Sequence, residues 1–132
     1  MSDYNIFIRE QSKVFLGGPP LVKMATGEES DDESLGGGQL HAEQSGLADY
    51  LAENEMDALR LCREVVSHLD LRKAGPDPSY VADEPAHDPE DLLGFIDRDL
   101  RQPVDIRAVI ARVVDGSRFE EFKPLYGPMM VC

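Results

Sequence analysis

Between Leu71 and Pro89 the chain carries four prolines, Pro76, Pro78, Pro85 and Pro89, with one glycine and many acids. Proline removes a backbone donor and clashes inside a helix, so no regular element can run through such a stretch. Its composition marks a linker. The boundary therefore falls at 73–88, with 1–72 on one side and 89–132 on the other. Without that break, 132 residues would suggest one domain with a modest core.

On the N-terminal side, Tyr4–Ile8 and Lys13–Leu16 are β-prone runs separated by a polar turn. The stretch Phe15–Glu29 reads as a strand end, a glycine turn and a short helix, Pro19–Ala25. Gly17 and Gly18 can take backbone angles that other residues avoid. Pro19 and Pro20 suit a first helical turn, and Gly27 sits where helices commonly stop. A helix start with close backbone is a candidate ligand edge; on these residues alone, a turn that merely packs a helix on a sheet remains the leading reading. A short helix is expected near Asp32–Leu35, ended by Gly36-Gly37-Gly38. Leu40–Ser45 is ambiguous, and Leu47–Ala52 reads as a strand carrying Asp49 near the ligand side. Asn54 caps the clearest helix, whose apolar face holds Ala58, Cys62, Val65, Val66 and Leu69. On that face Cys62 is expected to be a small buried hydrophobe.

On the C-terminal side, Asp88 and Pro89 reopen structure as an N-cap and first helical position. Ile106, Val109, Ile110, Val113 and Val114 form a helical stripe from Asp105 to Gly116, with Arg107 and Arg112 off it. Phe119–Lys123 and Met129–Val131 read as strands, with Phe119 and Phe122 as core residues. Pro128 weakens pairing there.

A formal net charge of −13 argues against a nucleic-acid or anionic-membrane surface, both of which need clustered Lys and Arg, but does not forbid an anionic ligand. Two cysteines, Cys62 and Cys132, make no disulfide framework, and no Cys/His spacing suggests zinc. The acidic run Glu28–Glu33 lacks the alternating ligands and central glycine of a calcium loop and reads as a solvated loop. No metal site is expected. With no signal-type start and no membrane-length run, the expected location is cytoplasmic.

Several blocks taken in order carry a resemblance: Phe15–Glu29, Glu33-Ser34-Leu35-Gly36-Gly37, His41, Ser45-Gly46, and Val109–Phe122. Together they resemble the carboxyltransferase (beta) subunit of biotin-dependent acyl-CoA carboxylases, the propionyl-CoA and methylcrotonyl-CoA carboxylase type. The match loosens only from Lys73 to His87. Met129-Met130 departs from the small polar residues expected after Tyr126-Gly127. The resemblance implies an α/β crotonase-like fold, with Tyr4–Ile8 and Lys13–Leu16 as consecutive strands of a ββα repeat. It also implies an internal piece joining the end of an N-terminal carboxyltransferase domain to the start of a C-terminal one.

By the same resemblance, the reaction moves a carboxyl group from carboxybiotin to the α-carbon of an acyl-CoA. Two oxyanions develop, each needing preorganised N–H donors. The donor turns would lie outside these residues, so no catalytic residue is named here. Phe15, Gly17, Gly18 and Pro19 would line the acyl-CoA and biotin cleft, and Gly36, Gly37, His41, Ser45 and Gly46 would border it. By itself, His41 is more often a satisfied structural histidine than an acid/base. Arg107, Arg112 and Lys123 would meet coenzyme A phosphates, since guanidinium and phosphate pair bidentately; solvated side chains pairing with Glu120 or Asp115 are the competing reading for each. Biotin would arrive on a biotin carboxylase/biotin carrier subunit, because no Ala-Met-Lys-Met type site is present. The beta subunits would form a homo-oligomer. Two alternatives stay open: a truncated, non-catalytic remnant that assembles with full-length subunits, and a coenzyme A-binding module.

Overall fold

A computed structural model describes residues 2–69, 81–95, 99 and 101–132. It divides into two compact units: residues 2–69 with 122–130 and 132, and the described part of 81–121 with 131. Residues 73–80 of the expected linker lie outside the described residues.

The first unit is built on two parallel strands, β1 (Ile6–Ile8) and β2 (Tyr50–Ala52), paired Ile6 to Tyr50, Phe7 to Leu51 and Ile8 to Ala52. Between them run α1 (Pro19–Thr26), α2 (Asp32–Gly36), α3 (Gly38–Leu40) and a π-helical turn, His41–Ser45. Parallel strands require such a crossover. The expected neighbour of β1, Lys13–Leu16, is no strand; Lys13 makes only one antiparallel bridge, to Gly37. The chain there is already turning toward Pro19 and Pro20, which lack the N–H that a ladder needs. Phe7, Ala42 and Ala48 form the core with Leu51 against them.

Local chemistry explains the helix ends. Gly27 stops α1 at φ 78°, its N–H donating to the Lys23 carbonyl. Gly17 and Gly18 do not adopt positive φ, contrary to the role expected of them. Asp31 caps α2 by accepting from the N–H groups of Glu33 and Ser34, and those bonds hold its carboxyl below the usual carboxylate range.

Helix α4 (Glu55–His68) starts at Asn54, whose side chain accepts from the Asp57 N–H. Val65 is buried, but Cys62 is exposed, as are Met56, Leu59 and Val66. The expectation of a buried Cys62 is corrected, because α4 turns the Val65 side of its wide apolar face inward. Asp57 accepts from the Glu53 N–H at 3.1 Å and from Arg60, and both partners lower its pKa, the backbone bond most. A carboxylate depressed on folding adds stability above the unfolded value, about 4, and loses it as pH falls through the lower folded value. Helicity of the chain, followed by circular dichroism from about pH 5 downward, should fall more steeply for wild type than for Asp57→Asn. Superimposed titrations would refute this.

In the second unit, Asp88 caps a 3-10 turn (Pro89–Asp91) leading into α5 (Leu92–Phe95), and Asp105 caps α6 (Ile106–Ile110). The apolar stripe predicted a helix to Gly116, but regular α-geometry ends at Ile110. The N–H groups of Arg112 and Val113 reach back only three residues, to Val109 and Ile110, and that of Val114 shares the Ile110 carbonyl. The β-branched Val109, Ile110, Val113 and Val114 crowd a helix and ease that tightening. The strands expected at Phe119–Lys123 and Met129–Val131 are absent. Pro124 and Pro128 lack donors, and Lys123 and Gly127 take positive φ.

Candidate functional site

Most N-terminal candidates converge in the first unit. Val14, just before the Phe15–Pro19 turn, donates its N–H to the Gly36 carbonyl at 2.8 Å. Gly36 lies so close beneath Val14 and Phe15 that a Cβ there would meet Phe15 Cδ1 at 2.9 Å. His41 is buried, with Nε2 2.7 Å from the Val14 carbonyl and Nδ1 2.7 Å from Ser45 Oγ. Gly46 ends the π-helical turn at φ 69° under the Tyr126 ring, and its carbonyl accepts from Lys123 Nζ at 2.5 Å. Phe15, Gly36, Gly37, His41, Ser45 and Gly46 thus belong to one assembly, with Gly17, Gly18 and Pro19 on the turn above it.

The turn itself presents exposed Phe15 and Leu16. Pro19 and Pro20 offer no N–H, and those of Leu21 and Val22 are taken by the Gly18 carbonyl. The first turn of α1 therefore offers no free N–H to an oxyanion, and the exposed Phe15 and Leu16 make the Phe15–Pro19 turn an apolar surface. Beside α1 a cavity of about 390 Å³ is bounded by Pro19, Pro20, Lys23, Glu29 and Ser30, where Lys23 pairs with Glu29 at 2.6 Å.

The predicted cations are engaged by the protein. Lys123 lies 3.2 Å from Asp49, a buried carboxylate that also accepts from the Asn5 N–H at 2.7 Å. The strand reading of Leu47–Ala52 puts Asp49 near the ligand side; its backbone partner, Asn5, carries no sequence signal. A second cavity, about 280 Å³, is walled by Asp49, Leu51, Leu61, Lys123 and Leu125 among others, and its cations are matched by carboxylates: Arg9 with Glu53, Arg60 with Asp57, Lys123 with Asp49. In the second unit Arg107 grips Glu121 through two bonds, 2.8 and 2.6 Å, which raises the guanidinium pKa. Arg112 stacks over Phe95 at 4.3 Å and reaches Asp91 at 3.4 Å. Phe119 and Phe122 are both exposed, at 40% and 37%, which corrects their expected place in the core, although Phe122 packs edge-on against Tyr4 and Tyr50. Among the described residues no three His, Cys, Asp or Glu side chains are placed to hold a metal, and no helix is long and apolar enough to cross a membrane.

The Carboxyl transferase domain family matches residues 1–132, the crossover unit and its glycine-backed turn included, and the chain belongs to it. It is 61% identical, over 99% of its length, to a probable biotin-dependent acyl-coenzyme A carboxylase beta2 subunit of Mycobacterium tuberculosis, of which it covers 25%. It is 45% identical over its whole length to the mitochondrial methylcrotonoyl-CoA carboxylase beta chain of Dictyostelium discoideum, covering 22% of that protein. Transcarboxylase 12S, solved with methylmalonyl-coenzyme A and methylmalonic acid bound, superimposes with a TM-score of 0.83 at 26% identity, covering 98% of this chain and 25% of that one. The fold is therefore the α/β, crotonase-like carboxyltransferase fold. The chain spans about a quarter of the length of these relatives.

Proposed function

We propose that this chain is part of the carboxyltransferase component of an acyl-CoA carboxylase. In that reaction the α-carbon of an acyl-CoA exchanges a proton for the carboxyl group of carboxybiotin, and the biotin ureido nitrogen recovers a proton. The observation that carries the reading is the family match over the whole chain, together with the gathering of the Phe15 turn, Gly36, Gly37, His41 and Ser45 in one assembly. Phe15, Gly17, Gly18 and Pro19 would form cleft wall, with Gly36, Gly37, Ser45 and Gly46 backing it. Arg107 and Arg112 reach coenzyme A phosphates only by exchanging Glu121 and Asp91 for them, and Lys123 by leaving Asp49. Biotin would arrive on a carrier subunit, and the beta subunits would associate with one another in the cytoplasm. The two halves would belong to an N-terminal and a C-terminal carboxyltransferase domain joined at 73–88.

The test is a chimera. The matching segment of the Mycobacterium tuberculosis beta2 relative is replaced by this chain and assayed for acyl-CoA carboxylation with a biotin-carrying partner. Activity within about tenfold of the parent, a barrier change near 1.4 kcal/mol, is the expected result. A chimera that assembles normally but has lost all acyl-CoA-dependent turnover would remove the reading. The chain alone should give no turnover with free biotin and acyl-CoA.

A further inference from the structure

Both backbone groups of Val14 are held. Its N–H donates to Gly36, and its carbonyl accepts from the His41 ring. A carbonyl oxygen cannot donate, so His41 Nε2 carries the proton and, in the neutral ring, Nδ1 accepts. The Leu47 N–H donates to Ser45 Oγ at 3.3 Å, leaving the Ser45 hydroxyl hydrogen for Nδ1. The ring also stands edge-on to Phe7, centroids 5.7 Å apart. Buried, with both nitrogens bonded within the protein, the imidazole has no atom free to exchange a proton with a ligand. Beyond Val14 the side chains anchor the turn weakly: Leu16 projects wholly into solvent, and Phe15 is exposed apart from the edge that lies over Gly36 and Gly18.

We infer that His41 is a positioning residue: it fixes the Phe15–Pro19 turn by donating Nε2–H to the Val14 carbonyl, and Ser45 sets the tautomer that lets it do so. The inference rests on the proposed carboxyltransferase reading only in taking that turn as cleft wall; the pin itself stands on the hydrogen bonds. It assigns His41 no acid/base part.

Hydrogen exchange of the 132-residue chain reads the pin directly, using peptides across residues 14–22 and α4 as internal reference. His41→Leu keeps the bulk and removes the donor. Exchange over 14–22 should rise about five- to tenfold, as expected for one lost hydrogen bond, with α4 unchanged. His41→Gln retains an N–H for the same carbonyl and should restore most of the protection. Unchanged exchange in His41→Leu, or His41→Gln behaving like it, overturns the inference. Should His41→Leu loosen α4 as well, Ser45→Ala decides. Long-range proton–nitrogen correlation of the His41 ring should show a single Nε2–H form in wild type and a mixture in Ser45→Ala; an unchanged ring would overturn the tautomer lock. Calorimetry with coenzyme A then separates the two readings. A loosened turn with unaltered coenzyme A binding leaves the pin standing and removes the turn from the cleft.

Discussion

Gly36→Ala should lower the stability of the first unit by about 3 kcal/mol, at the upper end of what overpacking costs. The added methyl meets backbone, with the Val14 carbonyl carbon at 3.0 Å and its oxygen nearer still, besides the Phe15 ring at 2.9 Å. A side chain could rotate aside; a carbonyl already bonded to His41 cannot move without breaking that bond. The Val14–Gly36 hydrogen bond would be lost with it. Gly17→Ala is the matched comparison. Its Cβ would meet Leu21 Cδ2 at 2.7 Å, the end of an exposed side chain that can rotate aside, with the rest of Leu21 at ordinary contact distance, and its φ is not in the left-handed region. That substitution should be neutral or stabilising by about 0.5 kcal/mol through the unfolded state. Urea midpoints of the two variants provide the check. Equal midpoints would mean that the close packing of α2 under the turn is not what stabilises this unit.

The second large effect is expected at Asp49. Asp49→Ala leaves the Asn5 N–H without its acceptor and Lys123 without its carboxylate, at a cost of about 2–3 kcal/mol. Asp49→Asn keeps an acceptor oxygen and loses the charge, so it should cost about half as much. Lys123→Met should cost less again, about 1 kcal/mol, because the ammonium is partly solvated, with 27% of its side chain exposed. Its distinctive effect is to release residues 122–130. Chymotryptic cleavage at Phe122 and Tyr126 should therefore quicken in Lys123→Met before global unfolding sets in. An Asp49→Ala chain with the wild-type thermal midpoint would contradict this account of the buried pair.

What the sequence disclosed follows the range of each interaction. Asn54 and Asp88 were readable as caps because a cap bonds N–H groups two or three residues ahead. Gly27 was readable as a stop because the left-handed φ that ends α1 is one glycine adopts freely. The parallel pairing of β1 with β2 was not, since alternation within a run does not say which other run it meets. Lys13–Leu16 and the tail carry β-prone side chains, yet prolines and positive φ values deny them a ladder. The candidate site was legible as a set of blocks through the family resemblance, but not as an arrangement. Nothing in the spacing shows that His41 would reach back 27 residues to a carbonyl rather than outward to a ligand. The arginines show the opposite failure: their suitability for phosphate was plain, while the acids that engage them, Glu121 and Asp91, were not the neighbours considered.

The crossover also bears on how the unit is made. Asn5 and Asp49, which flank the two strands, are 44 residues apart in sequence, so the ladder cannot form until that whole loop has been closed. Helices α1 and α2 need only near neighbours and can be in place first. During synthesis at roughly 5–20 residues per second, β1 would wait some seconds for its mate to emerge from the ribosome. Throughout that interval Ile6, Phe7 and Ile8 are a naked apolar ribbon, open to capture by a chaperone or by another nascent chain.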